Sequence, residues 1–418
     1  MMQQAVKTDL PARRRPVPFG MVLAMITLLP TLVFYLRISS SLALGSTLAA
    51  LITLLVAVRH APLRLPGRLL GPQVFTLLVM VVVLLHLMGA GLANPIDAGR
   101  AAASLLPLAF ILSSGAAFGH LLAMTSGASV HRAAWGCFLL LCAMPTLPLL
   151  GIEPSTLLLP GTYTKPIFPF TEPSHLALIF IPLLMYCCSS SGGKARWSAL
   201  LLGAMVAGLL ESLTLVVGWT LVFLTCVRGF ALPFMATTLA LVVAMLDLSY
   251  YVARLDFSGN GVNLSNAVYL QGWQLIDESL TNSNLWGLGF QQLGVQGTEV
   301  PASQLIYTLT GGIYSNLLDG GFTLAKVISE LGVLGGILIA LFLFRAGRSI
   351  LALRSSAIGA SALSPAVLFA HSMIAAYLIE LFIRGVGYFN GTAILLVGSL
   401  WLVTGRGVAR TKLPRIAR

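Results

Sequence analysis

Residues 73–92 read QVFTLLVMVVVLLHLMGAGL, a run of twenty residues without Asp, Glu, Lys or Arg. A helix of about 20 apolar residues is roughly 30 Å long, which matches the hydrocarbon core of a bilayer. Comparable runs recur on both sides of this one, and they predict about twelve membrane-spanning helices. These lie near 19–36, 41–58, 73–92, 101–124, 134–151, 172–190, 198–211, 213–227, 231–249, 324–344, 362–383 and 391–404.

The composition supports the same fold class. The chain is 57% hydrophobic and 9% charged, with a mean hydropathy of +0.92, whereas soluble domains carry about 25% charged residues. The net charge of +12 is dispersed over short loops and forms no basic stripe with interleaved aromatics. Orientation and lipid headgroup contact explain such a pattern, so nucleic acid is not an expected partner. The sequence predicts an all-α integral membrane protein.

The distribution of Lys and Arg predicts the orientation. All but six of the 25 basic residues fall in segments that this topology places in the cytoplasm. Such a bias near the ends of spans sets orientation, so both termini are expected in the cytoplasm. The six cations that the bias does not explain are the first candidates for function: Arg37, Arg100, Lys165, Arg254, Lys326 and Arg384.

Three regions follow from this topology. Residues 1–249 carry the first nine helices and a Pro-rich outer loop, 152–171. Residues 250–323 form one large outer loop, with an amphipathic helix at about 264–280 that turns Tyr269 and Ile276 to one face and Gln271 elsewhere. Residues 324–418 hold the last three helices and a basic cytoplasmic tail.

The stretch 198–227 fits one long helix or two short ones. We expect two, meeting near Glu211, since two keep Arg228 and Arg345 on the cytoplasmic side.

Arg384 lies in ELFIRGVGYFN, residues 380–390, at the outer end of a span. Its donor fork suits a phosphate or pyrophosphate, and the alternative is an ion pair with Glu380 four residues earlier. Arg254 and Lys165 are further candidates for phosphate contact, and Asp256 or Asp247 is the alternative partner of Arg254.

The remaining three outer cations are expected to have structural roles. Lys326 and Glu330 are one helical turn apart, which predicts an ion pair. Arg37 and Arg100 are interpreted as residues that cap the outer ends of helices.

The segment PFTEPSH, residues 169–175, opens a central span. Glu172 and His175 are three residues apart on a helix and can form a carboxylate–imidazole pair that acts as a base or orients one. The alternative is helix capping by Glu172, with His175 packed in the bundle.

Signatures of soluble enzymes are absent from the sequence. GxxxxGK[ST], HExxH and paired CxxC motifs do not occur, so no nucleotide, metal or other cofactor is predicted. The five cysteines all fall in predicted spans, where free Cys packs as a small hydrophobe.

Several segments together resemble a known family. They are PFTEPSH at 169–175, NLSNAVYLQGW…WGLGFQQLG at 263–294, ISELGVLGG at 328–336 and ELFIRGVGYFNG at 380–391. With many spans and one large late outer loop, the chain looks like the O-antigen polymerase (Wzy-type) and O-antigen ligase superfamily.

The resemblance implies a GT-C-like polytopic bundle in the bacterial inner membrane. It implies a metal-independent, inverting glycosyltransferase that moves a glycan from undecaprenyl pyrophosphate onto another lipid-linked repeat unit at the periplasmic face. Membrane lipid and a chain-length regulator protein would be partners. Glu172 and His175 would be catalytic, and the substrate or its pyrophosphate would contact Arg254, Arg384, Lys165 and Tyr388.

Two features of the large outer loop bear on the resemblance. Residues 250–323 contain no histidine, which favours a polymerase over a ligase, and residues 263–323 contain no Lys or Arg. A transporter or flippase is the main alternative, but the spans are nearly free of charge and show no internal repeat. A non-catalytic assembly subunit is a third.

Overall fold

The computed structural model describes residues 17–60, 66–151, 167–227, 264–295, 300–312, 314, 316–359 and 361–405. Lys165, Arg254, the predicted span 231–249 and most of the predicted loop 152–171 lie outside them. The described residues are helical and contain no strand. Their helices are α1 Phe19–Tyr35, α2 Ala43–His60, α3 Pro66–Ala93, α4 Ala98–Met124, α5 Gly127–Ala143, α6 Pro173–Ser190, α7 Gly193–Leu209, α8 Leu213–Cys226, α9 Leu264–Asn282, α10 Pro301–Leu309, α11 Thr323–Ala357, α12 Pro365–Phe382 and α13 Gly391–Thr404.

The protein is a helical membrane protein. Seven helices in the described part are long and apolar enough to cross a bilayer, and α1, α8 and α13 are shorter apolar helices. Large apolar side chains face outward from them, including Leu77, Leu85 and Leu92 on α3, which are 64%, 62% and 92% exposed. Apolar surface of this extent is unfavourable in contact with water but favourable in contact with lipid. The total of twelve spans stays a prediction.

Helix boundaries differ from the predicted ones where proline or a turn intervenes. The helix predicted at 134–151 instead runs Gly127–Ala143 and continues as two 3-10 turns, because Pro145 and Pro148 cannot donate to the helical ladder. The stretch 198–227 forms two helices, as expected, and Glu211 lies exposed in the turn between them with φ 46°.

Helix α6 is the centre of the bundle. Every residue from His175 to Ser189 is buried, and α5, α7, α8 and α12 all pack against it. Lipid tails are as apolar as leucine, so contact between spans depends on close packing rather than on exclusion of water. The pair α4 and α13 shows this most directly, since a methyl group on Gly119 would collide with the carbonyl oxygen of Gly398.

A sharp break divides α11 at Gly332, where φ is 54° and ψ is −132°. An L side chain is strained in this region, so glycine is required. The break leaves carbonyl groups free of helical partners, and the segment 285–295 docks onto them. Leu288 N–H donates to Ser329 O at 2.9 Å, and Gly289 N–H donates to Glu330 O at 2.8 Å.

Helix α9, Leu264–Asn282, lies where the sequence predicts an amphipathic helix. Tyr269 and Ile276 pack against Phe322, at the start of α11. Gln271 lies on another face, as predicted, but its side chain is fully buried and donates to Ser303 Oγ at 2.9 Å, a burial that the sequence did not predict. The reason is α10, which covers the second face of α9 and which the sequence pattern of α9 does not reveal.

At the end of the bundle where α6 ends and α7 begins, one arginine contacts several helices. This end is called the Arg196 end below. Arg196 donates to the carbonyl oxygens of Cys188, Ser191, Cys226 and Ala357 at 2.9 to 3.1 Å. These carbonyls belong to the last turns of α6, α8 and α11 and to the residue after α6. A cation is favourable at helix C-termini because the carbonyl dipoles converge there.

Candidate functional site

A cavity of about 580 Å³ opens at the opposite end of the bundle, hereafter the cavity end. Its wall comes from the α1–α2 connection, the first turns of α4, α6 and α11, the loop residues Gln291, Asn316, Leu318 and Asp319, and the α12–α13 connection. Six Arg, Lys, His, Asp and Glu side chains of these segments line it: Arg100, Glu172, His175, Asp319, Lys326 and Arg384. A volume of this size lies within the usual range of small-ligand sites.

The structure brings together four of the residues selected from sequence. Glu172, His175, Arg384 and Tyr388 all line this cavity. The other two selected residues, Lys165 and Arg254, lie outside the described residues. Glu172 and Arg384 are 212 positions apart along the chain, yet their side chains are hydrogen-bonded.

Arg384 lies just beyond the end of α12, and its guanidinium is committed to side chains of other segments. Nη2 donates to Glu172 Oε2 at 3.1 Å, and Nη1 donates to Asn316 Oδ1 at 3.3 Å. The alternative pair with Glu380 is wrong, because α12 ends at Phe382 and the i,i+4 geometry no longer holds. Glu380 instead accepts from Asn390 Nδ2 and from the Thr392 hydroxyl.

Glu172 occupies the N-cap position of α6, but its side chain makes no capping hydrogen bond. The carboxylate is half exposed and accepts from Ser174 Oγ at 2.9 Å and from Arg384. Burial raises the pKa of Glu172, while Arg384, His175 and Ser174 lower it by more, so the net pKa lies below the ordinary value for Glu. Glu172 is therefore an anion at neutral pH.

His175 lies one turn into α6, buried beside the cavity. Its Nδ1 is 3.0 Å from Thr171 Oγ1. No hydrogen bond joins it to Glu172, although the two groups are close enough to interact electrostatically, and within the described residues Nε2 has no hydrogen-bond partner. If Nδ1–H donates to Thr171, Nε2 carries the lone pair and can accept a proton.

Lys326 has a structural role, as its spacing to Glu330 predicts. Its side chain is 2% exposed, and Nζ lies 3.7 Å from Glu330 Oε1 and 3.1 Å from Asp319 Oδ1. Glu330 also accepts from the N–H groups of Gln291 and Leu293, so this buried cluster fixes the docked loop. Asp319, which sequence reasoning missed, is the acid that the cluster presents to the cavity.

Arg100 is the other residue that sequence reasoning missed as a site residue. Among the described residues its guanidinium has no carboxylate partner. Its two contacts are long, at 3.4 Å each, to Leu293 O and Gln291 Oε1. Its position offered a signal, since a cation in the first turn of a helix opposes the dipole. At the N-terminus of α4, it is poorly explained as a helix cap and well suited to an anion.

Tyr388 lies over the buried cluster rather than free in the cavity. Its ring stacks on Phe290 with centroids 5.7 Å apart, and Lys326 Nζ lies 5.2 Å from its centroid. Burial, and next the nearby Glu330, raise the pKa of the Tyr388 phenol well above its ordinary value, so the hydroxyl stays protonated.

Within the described residues, no group of three His, Cys, Asp or Glu side chains has the arrangement of a metal site. Comparisons with protein-family models, curated proteins and solved structures return no match. The site is thus defined by its own chemistry: two arginines, one partly engaged by a carboxylate, next to a histidine with an unused ring nitrogen.

Proposed function

We propose that the chain polymerises lipid-linked glycans at the periplasmic face of the bacterial inner membrane. The glycan on one undecaprenyl pyrophosphate is transferred to the non-reducing end of another lipid-linked repeat unit, which builds O-antigen, capsule or exopolysaccharide. The observation that carries the proposal is one cavity that collects Arg100, Arg384 and His175 at the end of the spanning helices. Such a site can hold an anionic leaving group beside a base.

The two arginines supply the charge that binds pyrophosphate. Guanidinium groups bind phosphate oxygens through charge-assisted, bidentate hydrogen bonds. Arg100 is available for this, and Arg384 is held by a half-exposed carboxylate. Exposed ion pairs contribute about 0–1 kcal/mol, so a multiply charged ligand can displace Glu172 from Arg384.

These positions support the following reaction. His175 Nε2 takes the proton of the acceptor hydroxyl, and that oxygen attacks the anomeric carbon. The bond between this carbon and the pyrophosphate oxygen breaks, and its electron pair leaves with the undecaprenyl pyrophosphate, which the arginines stabilise. Attack opposite to the leaving group inverts the anomeric centre. Thr171 orients the ring, and the Glu172 carboxylate stabilises the imidazolium.

The charge pattern supports this placement in the membrane. The Arg196 end carries most of the described cations: Arg59, Arg132, Lys194, Arg196, Arg345, Arg348 and Arg354. The cavity end carries Arg37, Arg100, Lys326 and Arg384. By the positive-inside rule the Arg196 end faces the cytoplasm, as do both termini in a twelve-span topology.

The test is deletion of the gene in the parent cell, followed by electrophoresis of the surface glycans. Complementation with the wild-type gene restores a ladder, and with Arg384→Ala we expect a band of a single repeat. Arg37→Gln is the matched control, because Arg37 is an exposed cation at the same end that does not line the cavity. A full ladder from Arg384→Ala would contradict the proposal.

The deletion also separates the alternatives. Loss of every glycan on lipid A identifies a ligase, and accumulation of an intermediate on the inner leaflet identifies a flippase. In vitro, the purified protein should elongate lipid-linked oligosaccharide without added metal or nucleotide, and inhibition by a chelator would contradict the mechanism.

A further inference from the structure

Two tyrosines form an exposed pair beside the cavity. Tyr307 lies in the last turn of α10 and Tyr314 follows the helix, with ring centroids 4.5 Å apart and an angle of 33° between the rings. They are 40% and 44% exposed, so each has ring surface in contact with the surroundings. The turn between them is tight, since Gly312 N–H donates to Tyr307 O at 2.8 Å.

The chain runs directly from this pair into the cavity. Asn316, two residues after Tyr314, lines the cavity and accepts from Arg384. Two residues span at most about 7 Å, so the backbone of Tyr314 lies within about that distance of a residue that lines the cavity. Asp319 follows Asn316 three residues later and also lines the cavity. Aromatic, amide and carboxylate groups therefore lie close together along this short stretch of chain.

These chemical groups match a sugar. An aromatic face is apolar and electron-rich and suits the C–H face of a pyranose, while amide and carboxylate oxygens bind its hydroxyls. Gln304 and Thr308, the exposed neighbours of Tyr307 on α10, are polar as well. Moreover, α10 packs on α9, which packs on the start of α11. The pair thus belongs to a layer outside the spanning helices, which favours a glycan over acyl chains.

We propose that Tyr307 and Tyr314 form a glycan subsite that stacks a sugar ring of the oligosaccharide next to its reacting unit. The identity of that oligosaccharide rests on the proposed function. The subsite itself requires only a pyranose, because it contains no cation and does not contact the pyrophosphate.

The probe is the free repeat unit, released by mild acid from the lipid-linked pool of the deletion cell and therefore without phosphate. Its binding to the purified chain in nanodiscs is measured by saturation-transfer NMR. We expect the double variant Tyr307→Leu/Tyr314→Leu to bind about tenfold more weakly than wild type, since the aromatic stacking surface is lost. Tyr307→Phe/Tyr314→Phe keeps the rings and should bind within about twofold of wild type. Trp197→Leu, an exposed aromatic at the Arg196 end, is the matched control.

The outcomes distinguish this subsite from the proposed function. Because the free repeat unit carries no phosphate, its binding is measured independently of the polymerisation that the arginines support. Equal binding by wild type and the leucine double variant overturns the subsite, and so does saturation transfer to lipid instead of sugar. Neither result bears on polymerisation, which the ladder of Arg384→Ala tests separately.

Discussion

Arg196 and Arg384 lie at opposite ends of one bundle and make opposite kinds of contact. Among the described residues, the Arg196 guanidinium donates only to backbone carbonyls, at the ends of three helices. Within the same residues the Arg384 guanidinium donates only to side chains, one of them a half-exposed carboxylate. Backbone acceptors are fixed by the fold, whereas side-chain acceptors can be exchanged for those of a ligand. The comparison separates an arginine that holds helices together from one that is available for binding, although the residue type is the same.

The sharpest test of the comparison is Arg384→Ala. The negative charge that develops on the pyrophosphate in the transition state would lose a preorganised hydrogen-bond donor. The rate of polymerisation should therefore fall by about 10²–10³-fold. Stability should change by no more than about 1 kcal/mol, because the lost ion pair is partly exposed. Chain elongation and thermal unfolding in detergent measure the two quantities. A large fall in melting temperature would place Arg384 with Arg196 as a structural residue.

Arg196→Ala should show the reverse pattern. Hydrogen bonds to a charged group contribute about 1.5–3 kcal/mol, and the carbonyls left behind are partly buried at helix ends. We expect the free energy of unfolding to fall by about 3 kcal/mol, with a lower melting temperature and less protein in the membrane. Lys194→Ala, two residues earlier and exposed, is the control. Equal melting temperatures for the two variants would contradict the structural role.

Glu172→Gln tests whether the partner of Arg384 is exchangeable. Removal of the negative charge frees the guanidinium, so inorganic pyrophosphate should bind about fivefold more tightly, equivalent to about 1 kcal/mol. Elongation should nevertheless slow, since the imidazolium of His175 loses its counter-charge. Calorimetric titration and the elongation rate give the two values. Asp277→Asn, a change of an exposed acid on α9, should alter neither.

The smallest expected effect is the pH dependence of the same pair. The folded-state pKa of Glu172 lies below its unfolded value, so the pair stabilises the protein above about pH 4.3 and this stabilisation is lost as the pH falls through the lower folded value. The melting temperatures of wild type and Glu172→Gln should therefore differ by a constant amount from pH 8 to 5. They should converge below about pH 4. A difference that grows on acidification would have the wrong sign.

The sequence predicted helices far better than it predicted contacts between them. Long apolar runs fix where α3 and α6 lie, and the capping pattern located α9 to within two residues of its end. Local spacing also identified the Lys326–Glu330 pair, since both residues share one helix.

Local spacing failed where partners come from distant segments. Glu380 is four residues from Arg384, yet the partner of Arg384 is Glu172, because the helix ends between the first two. Arg100 and Asp319 became site residues only through the docking of the loop and the first turns of α4 and α11. The spacing of residues within one segment does not indicate which other segment will pack against it.

The break at Gly332 has a consequence for biogenesis. Residues 288–293 take hydrogen-bond acceptors from Ser329 and Glu330, which the ribosome adds about forty residues later. A nascent chain that stops before Thr323 leaves these amides without their acceptors. The loop that frames the cavity therefore cannot mature in step with synthesis and must wait for the insertion of α11, so that protease sensitivity near residue 290 reports completion of the late helices.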